Sequence, residues 1–451
     1  MSTAWPWSSR GSGTSAIHEV KVLIVGGGGR EHALAWKVAS SAHVDRVYVA
    51  PGNAGTAREH KVENVAIPAG DLAALLAFAR SARVDLTLVG SEAPLVAGIA
   101  DRFDEAGLRC FGPSRSAAAL EGSKVYAKSF MDRHGVATAP YASFSDLHAA
   151  SAYIRAQALP LVIKANGLAA GKGVVIAQST EEAVRAASDM LAGHAFGDAG
   201  QEIVVEGFLE GEEASFIVVS DGIDVLPLAS AQDHKARDAG DRGPNTGGMG
   251  AYSPAPVLTQ AVSDRVMSEI LLPTIHGMAR EGRPYRGFLY VGVMVAPDGT
   301  PRVLEYNCRL GDPEAEVILL RLRSDLVEII EAGLAGRLKR IQPQWDQRAA
   351  LGVVLAAAGY PGAPRIGDVI AGLDAEHPAD TTVFHSGTAI KEGRIVTAGG
   401  RVACVCARGA TVSEAQSLAY ARVKKIQWQG MHYRPDIGYR AVARETREVD
   451  P

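Results

Sequence analysis

The stretch "VLEYNCRLGDPE" closes an apolar run with side chains that can handle charge. On a strand, Glu305 and Asn307 lie two apart and share a face. A carboxylate beside an amide oxygen is a hard-oxygen pair suited to Mg²⁺ or Mn²⁺ bridging phosphates. Arg309, two further on, falls on the same side and offers a cation to a transferring phosphoryl group. A polar edge-strand face has the same period, so the reading needs a second element. Upstream, "KANGLAAGKGVVIA" supplies glycines around a lysine, between β-branched runs. It is not a P-loop: Gly167 and Gly171 stand one residue too close, and Gly173 occupies the place of the hydroxyl residue. The closing residues "GVVIA" read as a strand instead of a helix. A glycine turn between strands still presents N–H groups at close range. Lys164, Lys172 and Lys128 add three cations. Singly each reads as a solvated lysine; around one glycine turn they read as a polyphosphate cradle. Glu206 and Glu213, seven apart, are placed to bracket an adenine amino group and a ribose diol.

Gly26 to Gly29 end the first strand. The dinucleotide fingerprint G-x-G-x-x-G fails here, because the frames from Gly26 and Gly27 end at Glu31 and His32. That counts against a nicotinamide oxidoreductase. Two readings remain: a helix N-terminus open to a phosphate or carboxylate, and a tight strand–helix turn that needs positive φ.

These groups must be positioned by alternating elements. "KVLIVGGGGREHALAWKVASS", "RVYVA", "DLAALLAFARSAR", "VDLTLVG", "AGIADRFDEAG" and "LRCFG" alternate strand and helix, which implies a doubly wound parallel sheet over residues 20–120. A helix, "SKVYAKSFMDRHGV", ends on Gly135; then "PLVIKA", "GVVIA" and "EIVVEGFL" are strands with an alanine-rich helix among them. "EASFIVVSDGIDVLPL" reads as a hairpin turning at Asp221-Gly222, and "GFLYVGVMVAPDGTPRVLEYN" as another at Asp298-Gly299. Between them "SAQDHKARDAGDRGPNTGGMGAYSPAP" reads as a long functional or mobile loop. Residues 345–446 read as a separate strand-rich module, with a helix starting at Thr411, where Glu414 gives capping-box spacing.

Bulk numbers fit an ordinary globular chain. At 451 residues, about three domains are expected. The net charge of -4 argues against a nucleic-acid binder. Cys110, Cys308, Cys404 and Cys406 form no C-x-x-C pair, consistent with a reducing cytoplasm. Residues 1–19 lack the apolar core of a signal peptide and are expected to be a disordered tail. No apolar run approaches the roughly 20 residues needed to span a bilayer, so no membrane partner is expected.

The order "LVIKANGLAAGKG", "VVEGFLEGEEAS", "GPNTGGMGAYSP", "LEYNCRLGDPE" resembles the ATP-grasp superfamily. With "GGGGREHALAWK", "APGNAGTA", "FGPS", "ALEGSK" and "TAGGRV", it resembles in particular the phosphoribosylamine–glycine ligases, over residues 20 to 445. The resemblance implies an ATP-grasp domain at 121–335, with a small β-rich lid at about 140–212 that folds over ATP. It implies a monomer that joins glycine to 5-phosphoribosylamine through glycyl phosphate, using ATP and Mg²⁺ or Mn²⁺. By the same resemblance, Lys128, Lys164, Gly171 and Lys172 serve the nucleotide phosphates, with Lys164 also catalytic. Glu206 and the backbone through Leu209 match the adenine hinge, and Glu213 the ribose position. Glu305 and Asn307 match metal ligands, and Arg309 the transition-state cation. Gly28, Gly29 and Arg30, together with Asn245, Thr246, Gly247, Gly248, Met249 and Gly250, face glycine and the phosphoribosyl group. The chain departs from the family's usual pattern at Asn166 (often Asp), Ser91 (usually Pro) and Gly207 (usually Glu). Gly292 leaves no acid on the strand before Glu305, where many ATP-grasp enzymes carry another metal ligand. The alternative is another ATP-grasp carboxylate–amine ligase of purine metabolism.

Overall fold

The computed structural model describes residues 20–169, 173–192, 201–376 and 378–449. The expected tail at 1–19 lies outside them. The first sheet is built from β1 (Val20–Gly26), β2 (Val44–Pro51), β3 (Val62–Asn64), β4 (Leu86–Val89) and β5 (Cys110–Phe111). The strands are parallel, in the order β3-β2-β1-β4-β5, as the alternating pattern predicts. Helices α1 (Gly29–Ala39), α2 (Leu72–Ala82), α3 (Glu92–Val96) and α4 (Ile99–Glu105) lie between the strands in the chain. Both faces of β1 are covered, so its residues are apolar without alternation: Val22 and Ile24 enter one core cluster, Leu23 and Val25 another. Chain order reverses between β1 and β4, and ligands of such sheets bind in the crevice at that reversal. The Gly26–Arg30 turn and Glu92 sit there.

The glycine run has a packing reason. Gly26 has φ +133°, and a Cβ on Gly27 would come within 2.7 Å of the Gly52 carbonyl oxygen. The Glu31 carboxylate accepts the Gly28 N–H at 2.6 Å, so the first turn of α1 is capped from within the chain.

From this sheet, α5 (Ala119–Gly122) and α6 (Lys124–His134) lead to an antiparallel sheet with its own core. It comprises β6 (Tyr141–Phe144), β7 (Leu161–Ala165), β8 (Val174–Ala177) and β9 (Ile203–Gly207), in the order β6-β9-β7-β8. Two helices, α7 (Leu147–Arg155) and α8 (Thr180–Leu191), give Ala150, Ile154, Ala183 and Ala187 to that core, facing Ile163 and Val205. Another antiparallel sheet follows from β10 (Glu212–Asp221) and β11 (Val225–Pro227), which turn where Asp221-Gly222 predicts.

The glycine-heavy stretch after β11 differs from the expected loop. It holds β12 (Gln232–Asp233), β13 (Ala236–Asp238), β14 (Arg242–Asn245) and β15 (Gly250–Ser253). Beyond α9 (Gln260–Arg265) and α10 (Leu272–Arg280), β16 (Arg286–Val295) and β17 (Pro301–Asn307) turn at Asp298-Gly299 and complete the sheet β11-β10-β16-β17. The register between β16 and β17 slips after Gly292, which pairs with Glu305 while Val293 pairs with Val303. Leu304 is thus the extra residue of a bulge, and its carbonyl is released from the ladder.

After α11 (Glu314–Arg321) and α12 (Leu326–Leu334) come β18 (Ala349–Ala356), β19 (Thr381–His385), β20 (Thr388–Lys391), β21 (Arg394–Thr397) and β22 (Arg401–Gly409). The C-terminal sheet runs β12-β15-β18-β22-β19, so two short strands of the supposed loop belong to it. Such pieces are too short to carry a period, and their partner is distant in sequence. Thr411 caps α13 (Val412–Val423) by accepting the Glu414 N–H at 3.1 Å; the Glu414 carboxylate reaches the Ala410 N–H instead of closing the box. The chain ends with α14 (Tyr439–Val449). Among the described residues, no helix is long and apolar enough to cross a membrane.

Candidate active site

Lys164 on β7 and Lys128 on α6 converge on one carboxylate. Their Nζ atoms stand 3.0 and 3.1 Å from Glu206 Oε2 on β9, with all three side chains almost fully buried. Lys164 also donates to the bulged Leu304 carbonyl at 3.1 Å, and Lys128 to Thr138 Oγ1 at 2.7 Å. Burial, helped by the like charge of Lys164, pushes the Lys128 ammonium down to about 8 against the pull of Glu206. Two cations on one carboxylate leave surplus positive charge facing the space beyond them.

That space is bounded by β17. Asn307 Nδ2 donates to Glu305 Oε1 at 3.2 Å, so the two side chains share a face as their spacing requires. Burial alone would raise the Glu305 carboxyl, but Lys235 and Lys164 hold it below its ordinary value. An ionised carboxylate and the free Asn307 amide oxygen form a donor set that suits a hard divalent ion. Opposite Glu305 stands Gly292, which adds no acid.

Arg309 lies past the end of β17 and is gripped from two sides. Its Nε is 3.2 Å from Glu92 Oε2 on α3, and its Nη2 is 3.2 Å from Glu121 Oε1 on α5. Arg30 approaches the same Glu92 carboxylate at 3.8 Å. Burial opposes the Glu92 charge, yet Arg309 and Arg30 hold that carboxyl down to about 2. Two guanidinium groups are therefore fixed at the topological switch of the first sheet.

One cavity of about 470 Å³ joins these groups. Lys128, Lys164, Glu206, Leu209, Glu213, Glu305, Asn307 and Arg309 all line it. Arg30 lines it as well, whereas Gly28 and Gly29 are not among the lining residues, and Gly29 packs inward: a Cβ there would come 2.3 Å from Glu316 Oε1. Asn245, Thr246 and Gly247 contribute to the wall. Met249 is buried in the C-terminal core, Gly250 pairs with Val353 on β18, and Gly248 is wedged between Pro313 and Asp233. Gly171 and Lys172 lie outside the described residues. Val162, Ile176, Phe208, Met294 and Leu304 give the cavity an apolar surface, which suits a flat base.

Asn166 is explained by its neighbours. Its Oδ1 accepts from Ser123 Oγ and the Val125 N–H, both at 3.0 Å, while its Nδ2 donates to Glu202 Oε2 at 2.8 Å. An aspartate would keep the first two bonds and repel Glu202.

Models of the three phosphoribosylglycinamide synthetase domains match in succession: the N domain over residues 20–121, the ATP-grasp (A) domain over 122–315 and the C domain over 350–440. The chain is 57% identical over 429 residues to a phosphoribosylamine–glycine ligase of Vibrio vulnificus, covering 95% of this chain and all of that one. The chain belongs to the phosphoribosylglycinamide synthetase family. A crystal structure of a Thermotoga maritima phosphoribosylamine–glycine ligase superposes with TM-score 0.80 at 36% identity, covering 93% of this chain and 100% of that one. The biotin carboxylase domain of a Hydrogenobacter thermophilus 2-oxoglutarate carboxylase, at 18% identity and TM-score 0.71, covers 92% of this chain and 91% of its own, and shows the fold alone. The expected fold class holds: a doubly wound N-terminal domain, an ATP-grasp domain and a strand-rich C-terminal domain.

The cavity also takes residues that sequence reasoning does not single out. Lys124 donates to the Gly167 carbonyl at 2.9 Å. Lys235 lies 3.4 Å from Asp233 and 3.7 Å from Glu213, with its Nζ 5.8 Å from the Tyr290 ring centre. Glu92, Glu121 and Arg401 reach the wall from three different elements. Arg401 sits in a stretch that carries the resemblance and Lys235 in the long loop-like stretch, but no local spacing ties either to the other lining residues.

Proposed function

We propose that this protein joins glycine to 5-phosphoribosylamine with ATP, giving glycinamide ribonucleotide, ADP and phosphate in purine biosynthesis. One observation carries the reading. The Lys164 ammonium, hydrogen-bonded to the carbonyl just before Glu305, lines with the Glu305–Asn307 pair one cavity large enough for a nucleotide.

A glycine carboxylate oxygen attacks the γ-phosphorus of ATP, and ADP leaves. The acyl phosphate is the better electrophile; the amine nitrogen attacks its carbonyl carbon, phosphate departs with the bridging oxygen, and the nitrogen loses a proton. Lys128 and Lys164 bind and orient the phosphates, and Arg309 neutralises charge gathering on the transferred group. Glu305 and Asn307 would hold Mg²⁺ or Mn²⁺, which supplies further charge neutralisation when bound. Glu206 keeps both lysines aimed; Leu209 and Glu213 flank the base and ribose. The β6–β9 sheet is the lid, closing the site against water that would hydrolyse the acyl phosphate. We take the protein to act in the cytoplasm, as a monomer without nucleic-acid or membrane partners.

The test is ADP release by the purified protein. Glycine with freshly made 5-phosphoribosylamine should support it, while formate or bicarbonate with their cognate nucleotide acceptors should not. Release with formate and not glycine would replace this reading with the alternative ligase.

A further inference from the structure

Arg401 is a lining residue that neither the lysine cradle nor the Glu305–Asn307 pair uses. It begins β22 in the C-terminal sheet, yet its guanidinium bridges two other parts of the chain. Nη1 donates to the Gly247 carbonyl at 2.7 Å and to the Asp312 carbonyl at 2.6 Å, and lies 3.2 Å from Asp312 Oδ1. The other polar group of Gly247 is held from the turn after β18: its N–H donates to Tyr360 Oη at 3.1 Å. Both bonds depend on close approach. A Cβ on Gly247 would fall 3.0 Å from Arg401 Cζ, and one on Gly400 would fall 2.4 Å from the Tyr360 ring. Beyond Gly247 the anchoring continues, with the Val354 N–H donating to the Met249 carbonyl at 3.0 Å and Gly250 paired with Val353. The Asn245–Gly247 wall is thus registered by the C-terminal sheet, whereas the lysines and Glu305 are held by the lid and β17.

We propose that Arg401 is a positioning residue for the ligation: from the C-terminal sheet it sets the Gly247 peptide and the Asp312 turn, and through them the part of the cavity that takes glycine and phosphoribosylamine instead of ATP. The inference rests on the ligase function proposed for this cavity. All three contacts converge on Nη1, which stands one bond further from the backbone than a lysine ammonium and is held in the guanidinium plane, so a lysine reaches them less well.

The experiment compares wild type with Arg401→Ala, Arg401→Lys and Gly247→Ala. It measures KM for glycine and for phosphoribosylamine, the Kd of a non-hydrolysable ATP analogue, and thermal unfolding. Arg401→Ala should raise the KM of at least one of the two small substrates by about tenfold or more, the loss expected for charge-assisted bonds. ATP-analogue affinity should stay within about twofold, because the cradle of Lys128 and Lys164 is untouched. Arg401→Lys should fall between, and Gly247→Ala should reproduce the split with Arg401 still present. Should the alanine variant fail to fold, the other two decide the matter. Unchanged KM values, or a parallel loss of ATP affinity, would overturn the proposal and leave Arg401 a strut between domains. A wild type that releases no ADP with glycine would remove the functional reading itself, and this inference with it.

Discussion

Replacing Lys164 by Met keeps an apolar stem of similar length and removes the ammonium, its charge and its N–H donors together. In the free protein, Lys164 shares Glu206 Oε2 with Lys128 and donates to the Leu304 carbonyl. Orphaning a buried charge costs about 3–5 kcal/mol, but Lys128 remains 3.1 Å from Glu206. A stability loss of about 2 kcal/mol is therefore expected, and the fold survives. Towards ATP the variant loses one charge-assisted contact worth about 1.5–3 kcal/mol, or roughly a ten- to hundredfold weaker Kd. Adding Glu206→Gln to Lys164→Met returns the pocket to its original net charge. Lys128 then lacks its buried counter-ion, so the double variant should melt lower still and should not recover ATP affinity. Isothermal titration with a non-hydrolysable ATP analogue, beside thermal scans of the same samples, reads both quantities. A Kd within about twofold of wild type would refute the cradle and leave Lys164 a structural counter-ion.

Two further outcomes are expected. The Lys128 ammonium, at about 8 in the free protein against an ordinary value of 10.5, binds its proton less tightly when folded than unfolded. Its contribution to stability therefore rises with pH between these two values, while bound phosphates favour the protonated form. ATP affinity should fall as pH climbs from about 7 to 9, with proton uptake on binding near pH ~8.5 visible as a buffer-dependent enthalpy and absent in Lys128→Met. Glu305→Gln should lower kcat by about a hundredfold or more and raise the Mg²⁺ concentration needed for turnover, with an unchanged circular dichroism spectrum. Undiminished turnover would remove Glu305 from the metal pair.

Features encoded in local patterns were legible. The four apolar residues in a row at Val22–Val25 of β1 announce a sheet covered on both sides, and period two puts Glu305 beside Asn307. Arg309 shows the limit. Its spacing placed it near the pair, but its grip comes from Glu92, 217 residues earlier, and from Glu121 on another helix. No local period carries such a pairing. The Gln232–Ser253 region misleads for a related reason: pieces of two to four residues in a glycine-heavy stretch read as loop until β15 meets β18, β12 meets β15 and β13 meets β14. The glycine run at Gly26–Gly29 was open between anion binding and packing. The close contacts of Gly27 and Gly29, and the internal cap on Gly28, give packing a demonstrable share.

The acyl phosphate route is tested most directly by the fate of a carboxylate oxygen. With glycine carrying ¹⁸O in both carboxylate positions, each turnover should place one ¹⁸O in the released phosphate and keep the other in the new amide, as mass spectrometry of both products can show. Unlabelled phosphate, formed in step with glycinamide ribonucleotide, would contradict activation of glycine by phosphoryl transfer.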